Sequence, residues 1–189
     1  MNKPLLIIIS GPSGVGKDSI ISGLTNDETL DFEKIVTTTS RSLRNSEIDG
    51  AKYYHISKDE FESGINEGKF IEHELVHDNH YGATFEEFNR ILDKGKHILY
   101  ELDVAGAIKI KKKLDDRFLI RTIFISPPSL DTLLERLKSR GTESEESIER
   151  RILTAKNEMK YMDFYDHIIV NDVLEQAILD TINIIKNVR

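Results

Sequence analysis

Short apolar runs alternate with helical patterns along most of this chain. The runs at 5–9, 34–38, 98–102, 118–126 and 167–170 have the length and composition of buried strands. Segments of helical spacing follow them, predicting helices at about 17–25, 105–114, 129–139, 145–162 and 173–187. Strand and helix alternation of this kind predicts an α/β fold with a parallel sheet covered on both faces.

Residues 39–96 interrupt that rhythm. Two short strands are expected there, at 53–56 and 70–76. Ser57-Lys58-Asp59-Glu60 and Thr84-Phe85-Glu86-Glu87 both have the capping-box pattern, so each should start a helix, and Gly95 is placed to end the second. The block reads as a small mixed lobe inserted into the main fold. A second irregular stretch spans 136–151. Arg136 and Arg140 lie one turn apart on a helix that should stop at Gly141. The run from Thr142 to Ser147 then caps a longer helix bearing Arg150 and Arg151. Four arginines so close together suggest a lid that closes over an anion.

The first strand breaks into Gly11-Pro12-Ser13-Gly14-Val15-Gly16-Lys17, followed at once by helix. Strand, G-x-x-x-x-G-K, helix is the order needed to cradle phosphates. The glycines let successive backbone N–H groups curl around an anion, and the helix N-terminus adds partial positive charge. Lys17 is placed to reach a transferring phosphoryl group. The residue after this lysine is normally Ser or Thr, whose hydroxyl helps hold Mg²⁺. Here it is Asp18, with Ser19 one position later and so turned about 100° around the helix. Asp18 favours the helix dipole, repels phosphates, and has the chemistry to contact a metal or its water shell.

Composition narrows the picture. The 189 residues suffice for one domain, or one core with inserted lobes, without covalent staples. Cysteine is absent, which excludes disulfides and thiolate metal sites and fits a reducing compartment. No signal-peptide pattern or membrane-length apolar run is present. With 26 basic against 33 acidic residues, the net charge of −7 argues against broad nucleic-acid binding. Lys109 to Lys113 reads as a solvated face at a helix C-terminus. His73, His77 and His80 lack a consistent ligand spacing and read as surface histidines rather than a metal site.

The inserted lobe carries a more specific signal. Thr37-Thr38-Thr39-Ser40-Arg41-Ser42-Leu43-Arg44 is followed by Glu47-Ile48-Asp49-Gly50-Ala51-Lys52-Tyr53, then Phe70-Ile71-Glu72, then His80-Tyr81-Gly82-Ala83-Thr84. Together with the glycine loop and Arg140-Gly141-Thr142-Glu143, these motifs resemble the guanylate kinase family of nucleoside monophosphate kinases. The resemblance runs from about Leu5 to Val170-Asn171-Asp172. It implies a P-loop NTPase three-layer fold with a parallel central sheet, an inserted mixed GMP-binding lobe and a helical lid. The corresponding division is a core of 1–36, 97–135 and 152–189, a lobe of 37–96 and a lid of 136–151.

The same resemblance implies phosphoryl transfer from ATP to GMP with Mg²⁺, in a cytoplasmic monomer or homodimer that needs neither nucleic acid nor membrane. Arg41, Arg44, Tyr53 and Tyr81 would form the monophosphate pocket, and guanidinium forks do suit a phosphate dianion. Glu72 would accept from guanine N1–H and its 2-amino group, a pair that adenine does not offer. Thr37 would meet the base carbonyl. Glu101 and Asp103 match the family's acidic pair beside the metal and the acceptor. Gly11 to Ser19 and Asn171 would hold ATP, with Lys17, Arg136, Arg140 and Arg151 on the transferring group and Asp18 toward the metal. Ala83 stands where the family usually has Ser or Thr, so one hydroxyl to the base is missing, and Thr-Thr-Thr-Ser-Arg replaces the commoner Ser-x-Thr-Thr-Arg. Two alternatives remain at this point. A ribose bisphosphate phosphokinase also carries Lys-Asp-Ser in its loop, but a sugar acceptor needs no Glu72. A non-catalytic guanylate-kinase-like binding module would ordinarily have a degraded loop.

Overall fold

The computed structural model describes residues 3–44, 47–76, 78–139, 141 and 144–187. The chain divides into two units, Met1–Phe32 with Leu99–Arg189, and Glu33–Ile98. A five-stranded sheet has the order β2 (Phe32–Lys34), β7 (His97–Glu101), β1 (Leu5–Ser10), β8 (Leu119–Ser126), β9 (His167–Val170). Strands β1 and β8 run parallel, Leu5 beside Leu119 through Ser10 beside Phe124, and β9 is parallel to β8.

β1 is buried at every position, as a strand covered on both faces must be. Leu5, Ile7 and Ile9 pack with Ile20, Ile21 and Leu24 of α1 (Lys17–Thr25) and with Ala177, Ile182 and Ile185 of α7 (Leu174–Asn187). α4 (Val104–Leu114) packs on β1 and β8 and buries Val104, Ala107, Ile110 and Leu114. A satellite core of Leu133, Leu137, Ile148 and Ala155 joins α5 (Leu130–Ser139) to α6 (Glu145–Glu158).

The second unit holds a mixed sheet in the order β4 (Tyr53–His55), β3 (Thr37–Thr39), β6 (Asn79–Thr84), β5 (Phe70–Val76). β3 and β4 are parallel, whereas β6 is antiparallel to both β3 and β5. α2 (Lys58–Asn66) begins with the expected capping box, complete between Ser57 and Glu60. Gly95, at φ 71°, ends α3 (Phe85–Asp93) and donates its N–H to Leu92 O at 2.8 Å.

Several expectations need correction. The strand at 34–38 is two strands, β2 and β3, which belong to different sheets. Val36 N–H donates to the Glu87 carboxylate at 2.9 Å, which leaves the ladder broken between them. The second capping box is only half formed. Thr84 accepts from Glu87 N–H, but the buried Glu87 carboxylate goes to Val36, Tyr54 and Arg90 instead of returning to Thr84. A carboxylate 3% exposed needs that many donors. The helix at 145–162 stops at Glu158 and tightens into a 3₁₀ segment, Met159–Phe164. β6 had no strand signal. It forms because Asp78, at φ 63°, reverses the chain so that Val76 faces Asn79. His80 is not a surface histidine: its ring stacks on Phe61 at 5.1 Å. Lys111 is not simply solvated either, since it pairs with Asp166 at 3.1 Å and sits over the Phe164 ring. His77 lies outside the described residues.

Candidate active site

The sequence-predicted site residues fall into two clusters, one per unit. The first surrounds the glycine loop between β1 and α1. Gly11 has φ 143°, and a Cβ there would run into the carbonyl of Ile125. Gly16 caps α1 at φ 99°, and a Cβ there would meet Asn171 Nδ2 at 2.5 Å. These conformations bar other side chains and turn the loop sharply into the helix. Lys17 Nζ folds back to donate to Gly11 O at 2.6 Å and Pro12 O at 3.1 Å. Its ammonium is thereby held over the loop. Pro12 and Val15 are buried, while Ser13, Asp18 and Ser19 are exposed.

Asn171 follows β9 and is 4% exposed. Its amide nitrogen donates to Val15 O at 2.8 Å, and its backbone carbonyl accepts from Arg136 at 2.9 Å. Arg136 also reaches Asp172 O at 3.3 Å. Arg151, from α6, donates to Ser13 Oγ of the loop at 3.4 Å. Arg140 and the neighbouring Thr142 and Glu143 lie outside the described residues. Arg136 is thus attached to the end of β9, where ligands gather in open α/β sheets, and Arg151 to the loop.

Asp103 ends the β7 connection and caps α4, accepting from Gly106 N–H at 2.7 Å. Glu101 is half-buried at the end of β7. Two residues that sequence reasoning missed lie near them. Burial pushes the Glu158 carboxyl above its ordinary range; Lys17 opposes that rise and Asp103 adds to it. Burial likewise pushes the Tyr165 phenol up to about 12, against the neighbouring Ser10 hydroxyl. Ser10 and Tyr165 are neighbours whose hydroxyls complete no regular hydrogen bond. A cavity of about 330 Å³ is lined by Asp103, Glu158 and Tyr161, among others. No sequence signal singled out Glu158, which inside the helix expected at 145–162 looks like any solvated carboxylate.

The second cluster occupies one face of the lobe sheet. Thr37 lies beside Tyr53, Thr39 beside Tyr81, and Glu72 beside Ala83. Side chains alternate along each strand, so Thr37, Tyr53, Tyr81 and Glu72 share a face. A bulge between Phe70 and Glu72 decides this arrangement. Without it Phe70 would share the face of Glu72; with it, Phe70 stacks on Phe61 at 4.1 Å beneath the sheet. Ala83 is fully buried beside Glu72, where a hydroxyl was expected from the resemblance.

Arg41 joins that face. Its guanidinium lies 5.6 Å from the Tyr53 ring, and the Tyr53 and Tyr81 rings meet edge to face at 5.8 Å. Its NH2 donates to Glu47 Oε1 at 2.8 Å and Oε2 at 2.9 Å. Hydrogen bonding to Glu47 raises the Arg41 pKa, with Tyr81 adding to it. Arg44 is exposed and meets Glu47 through its backbone: its N–H donates to Glu47 Oε2 at 3.0 Å, and its carbonyl accepts from Glu47 N–H at 2.9 Å. Four of the six lobe residues therefore converge with Arg41, while the Arg44 side chain stands in solvent. Glu47, His55 and Asp49 belong to the same cluster but were given no role from the sequence.

Among the described residues no cluster of three or more His, Asp or Glu side chains forms a metal cage, and no helix is long and apolar enough to cross a membrane. Comparison with known proteins adds the family. The family model described as Guanylate kinase matches residues 3–188. A guanylate kinase of Chlorobium luteolum is 40% identical over 183 residues, covering 96% of this chain and 91% of that protein. The crystal structure of guanylate kinase from Anaplasma phagocytophilum is 27% identical and superposes with a TM-score of 0.72, covering 99% of this chain and 87% of that one. A shikimate kinase structure from Bacteroides thetaiotaomicron, 13% identical with a TM-score of 0.50 over 96% of this chain and 98% of that one, shares the fold alone. The chain belongs to the guanylate kinase family.

Proposed function

We propose that the chain transfers the γ-phosphoryl group of ATP to GMP, giving ADP and GDP. The observation that carries the acceptor assignment is the shared sheet face of Glu72, Tyr53 and Tyr81 with Arg41 beside it. A carboxylate able to accept two hydrogen bonds and a phosphate-binding fork on one surface match the two ends of a guanine nucleotide. Family membership supports the same reaction, and neither the family model nor the relatives favour a sugar-phosphate acceptor or a non-catalytic module.

The nucleophile is a phosphate oxygen of GMP, anionic at neutral pH, so no general base is required. Its bond to the γ-phosphorus forms as the bridging bond to ADP breaks. Catalysis then consists of alignment and charge neutralisation. In this reading the amides of the loop from Gly11 to Ser19 cradle the donor phosphates, and Lys17 leaves the loop carbonyls to reach the transferring group. Arg136, Arg140 and Arg151 neutralise charge on that group, and residues 136–151 act as a lid. Arg41, Arg44, Tyr53 and Tyr81 hold the acceptor phosphate, while Thr37 and Glu72 read guanine, and Glu101 and Asp103 contribute to acceptor binding. Asn171 offers its side-chain oxygen to the adenine amino group, since its nitrogen is committed to Val15.

Mg²⁺ typically takes one or two carboxylates together with substrate phosphates and water, and does not need an all-protein cage. Two carboxylates fit that demand: Asp18, next to Lys17 in the first turn of α1, and Glu158, which feels both Lys17 and Asp103 electrostatically. When bound, the ion neutralises charge on the donor phosphates. Asp18 would hold it, directly or through water.

Product analysis tests the reaction. Incubation with ATP and GMP should yield ADP and GDP in equal amounts, and Lys17→Met should lower the rate by about 10²-fold or more. ADP without GDP would overturn the proposal.

A further inference from the structure

A carboxylate beside an anion pocket repels the ligand unless it serves another purpose. Glu47 is such a carboxylate, and it engages Arg41 NH2 with both oxygens while accepting from Arg44 N–H at 3.0 Å. One carboxylate therefore closes the loop between the two arginines of the proposed phosphate pocket. Ser42 O takes the other terminal nitrogen of Arg41 at 2.8 Å. Neither contact uses the Arg41 Nε–H, and the guanidinium also interacts with the Tyr81 side chain. The guanidinium of Arg41 holds the Glu47 carboxyl down at about 2, with Arg44 N–H helping, so it stays charged in this role.

Behind Glu47 stands His55, on the same sheet face as Tyr53. Asp49 Oδ1 accepts from the His55 backbone N–H at 2.8 Å and meets Nδ1 at 2.9 Å. A charged carboxylate only accepts, so Nδ1 carries hydrogen and the ring is fixed in orientation. Nε2, buried and without a hydrogen bond, faces Glu47 Oε2 at 3.7 Å. The His55 ring also meets the Tyr53 ring edge to face at 6.1 Å. The side chain of His55 is only 11% exposed, so it forms a wall against which both Glu47 and Tyr53 rest.

We infer that Glu47 is a positioning residue that aims Arg41 at the acceptor phosphate, and that His55, anchored by Asp49, braces Glu47 from behind. The inference rests on the proposed GMP site and deepens it. Glu47 touches no substrate; it acts through Arg41, whose long side chain would otherwise sample many rotamers.

Steady-state kinetics with GMP and ATP varied separately provide the test. Glu47→Gln should raise the GMP KM about tenfold, the scale of one lost charge-assisted hydrogen bond. The ATP KM and kcat should stay within about twofold of wild type. On an Arg41→Met background, Glu47→Gln should add less than about twofold, because its effect passes through that side chain. His55→Phe should raise the GMP KM about threefold, with His55→Gln recovering part of the loss through its amide. Thermal unfolding of each variant reports folding separately. An unchanged GMP KM in Glu47→Gln would overturn the inference, as would a full additional effect on the Arg41→Met background or a parallel rise in the ATP KM. A wild-type protein inert with GMP would overturn the proposed function, and this inference with it.

Discussion

The Asn171 side-chain amide donates to Val15 O at 2.8 Å, joining residues 156 positions apart. It ties the end of β9 to the turn of the glycine loop, and the same residue's carbonyl receives Arg136. One side chain thus fixes the loop, and its backbone anchors an arginine of the proposed donor site.

Asn171→Ala removes that tie and leaves the Val15 carbonyl without its buried donor. The expected cost is about 1–2 kcal/mol of stability, read by urea unfolding. The ATP KM should rise by about tenfold with a smaller change for GMP, since the loop belongs to the donor half of the proposed reaction.

Glu72→Gln tests the base reader. Glutamine keeps one acceptor but turns an amide donor toward guanine's own donors. GMP turnover, as kcat/KM, should fall by about 10²-fold, while any turnover with AMP should change little. Equal losses for both acceptors would assign Glu72 a structural role.

Much of this was legible from the chain itself. The parallel sheet followed from apolar runs punctuated by helical patterns, and Gly11 to Lys17 marked the strand-to-helix turn. The lobe motifs pointed to Thr37, Arg41, Arg44, Tyr53, Glu72 and Tyr81, and the exposed side chain of Arg44 is the one that stands apart from the shared face. The bulge between Phe70 and Glu72 was not legible, because apolar pattern alone does not reveal an extra residue in a ladder. The split of the strand at 34–38 depended on Glu87, a residue 51 positions from Val36 that presented itself as a helix cap. Glu47 and His55 were hidden for a similar reason. Polar residues in a loop or at a strand end look alike until the fold brings an arginine and a second carboxylate against them.

Asp18→Ser asks where the metal requirement arises. If Asp18 contributes to holding Mg²⁺, the Mg²⁺ concentration for half-maximal rate should shift several-fold, about threefold or more, with the GMP KM nearly constant. A change confined to the GMP KM would contradict that role.

Asp166 predicts a pH dependence of stability. Burial pushes its carboxyl up, but hydrogen bonds from Thr122 N–H, Thr122 Oγ1 and Lys111 outweigh it and hold the group below 3.8. The folded state therefore binds this proton more weakly than the unfolded state. Its stabilisation is present above the ordinary carboxylate range and is lost as pH falls through the folded value. With the side chain 33% exposed, Asp166→Asn should cost about 1 kcal/mol at neutral pH. That difference should shrink steadily as unfolding is measured below pH 3.8. A constant difference across the range would contradict the assignment.

The central claim is that this chain phosphorylates GMP. The most direct measurement is ADP release from ATP and Mg²⁺ with GMP, AMP, UMP or ribose 1,5-bisphosphate as the sole acceptor. Strong turnover with GMP, exceeding every other acceptor by about 10³-fold or more, is the predicted result. Turnover with the sugar bisphosphate alone, or GMP binding without any turnover, would contradict it.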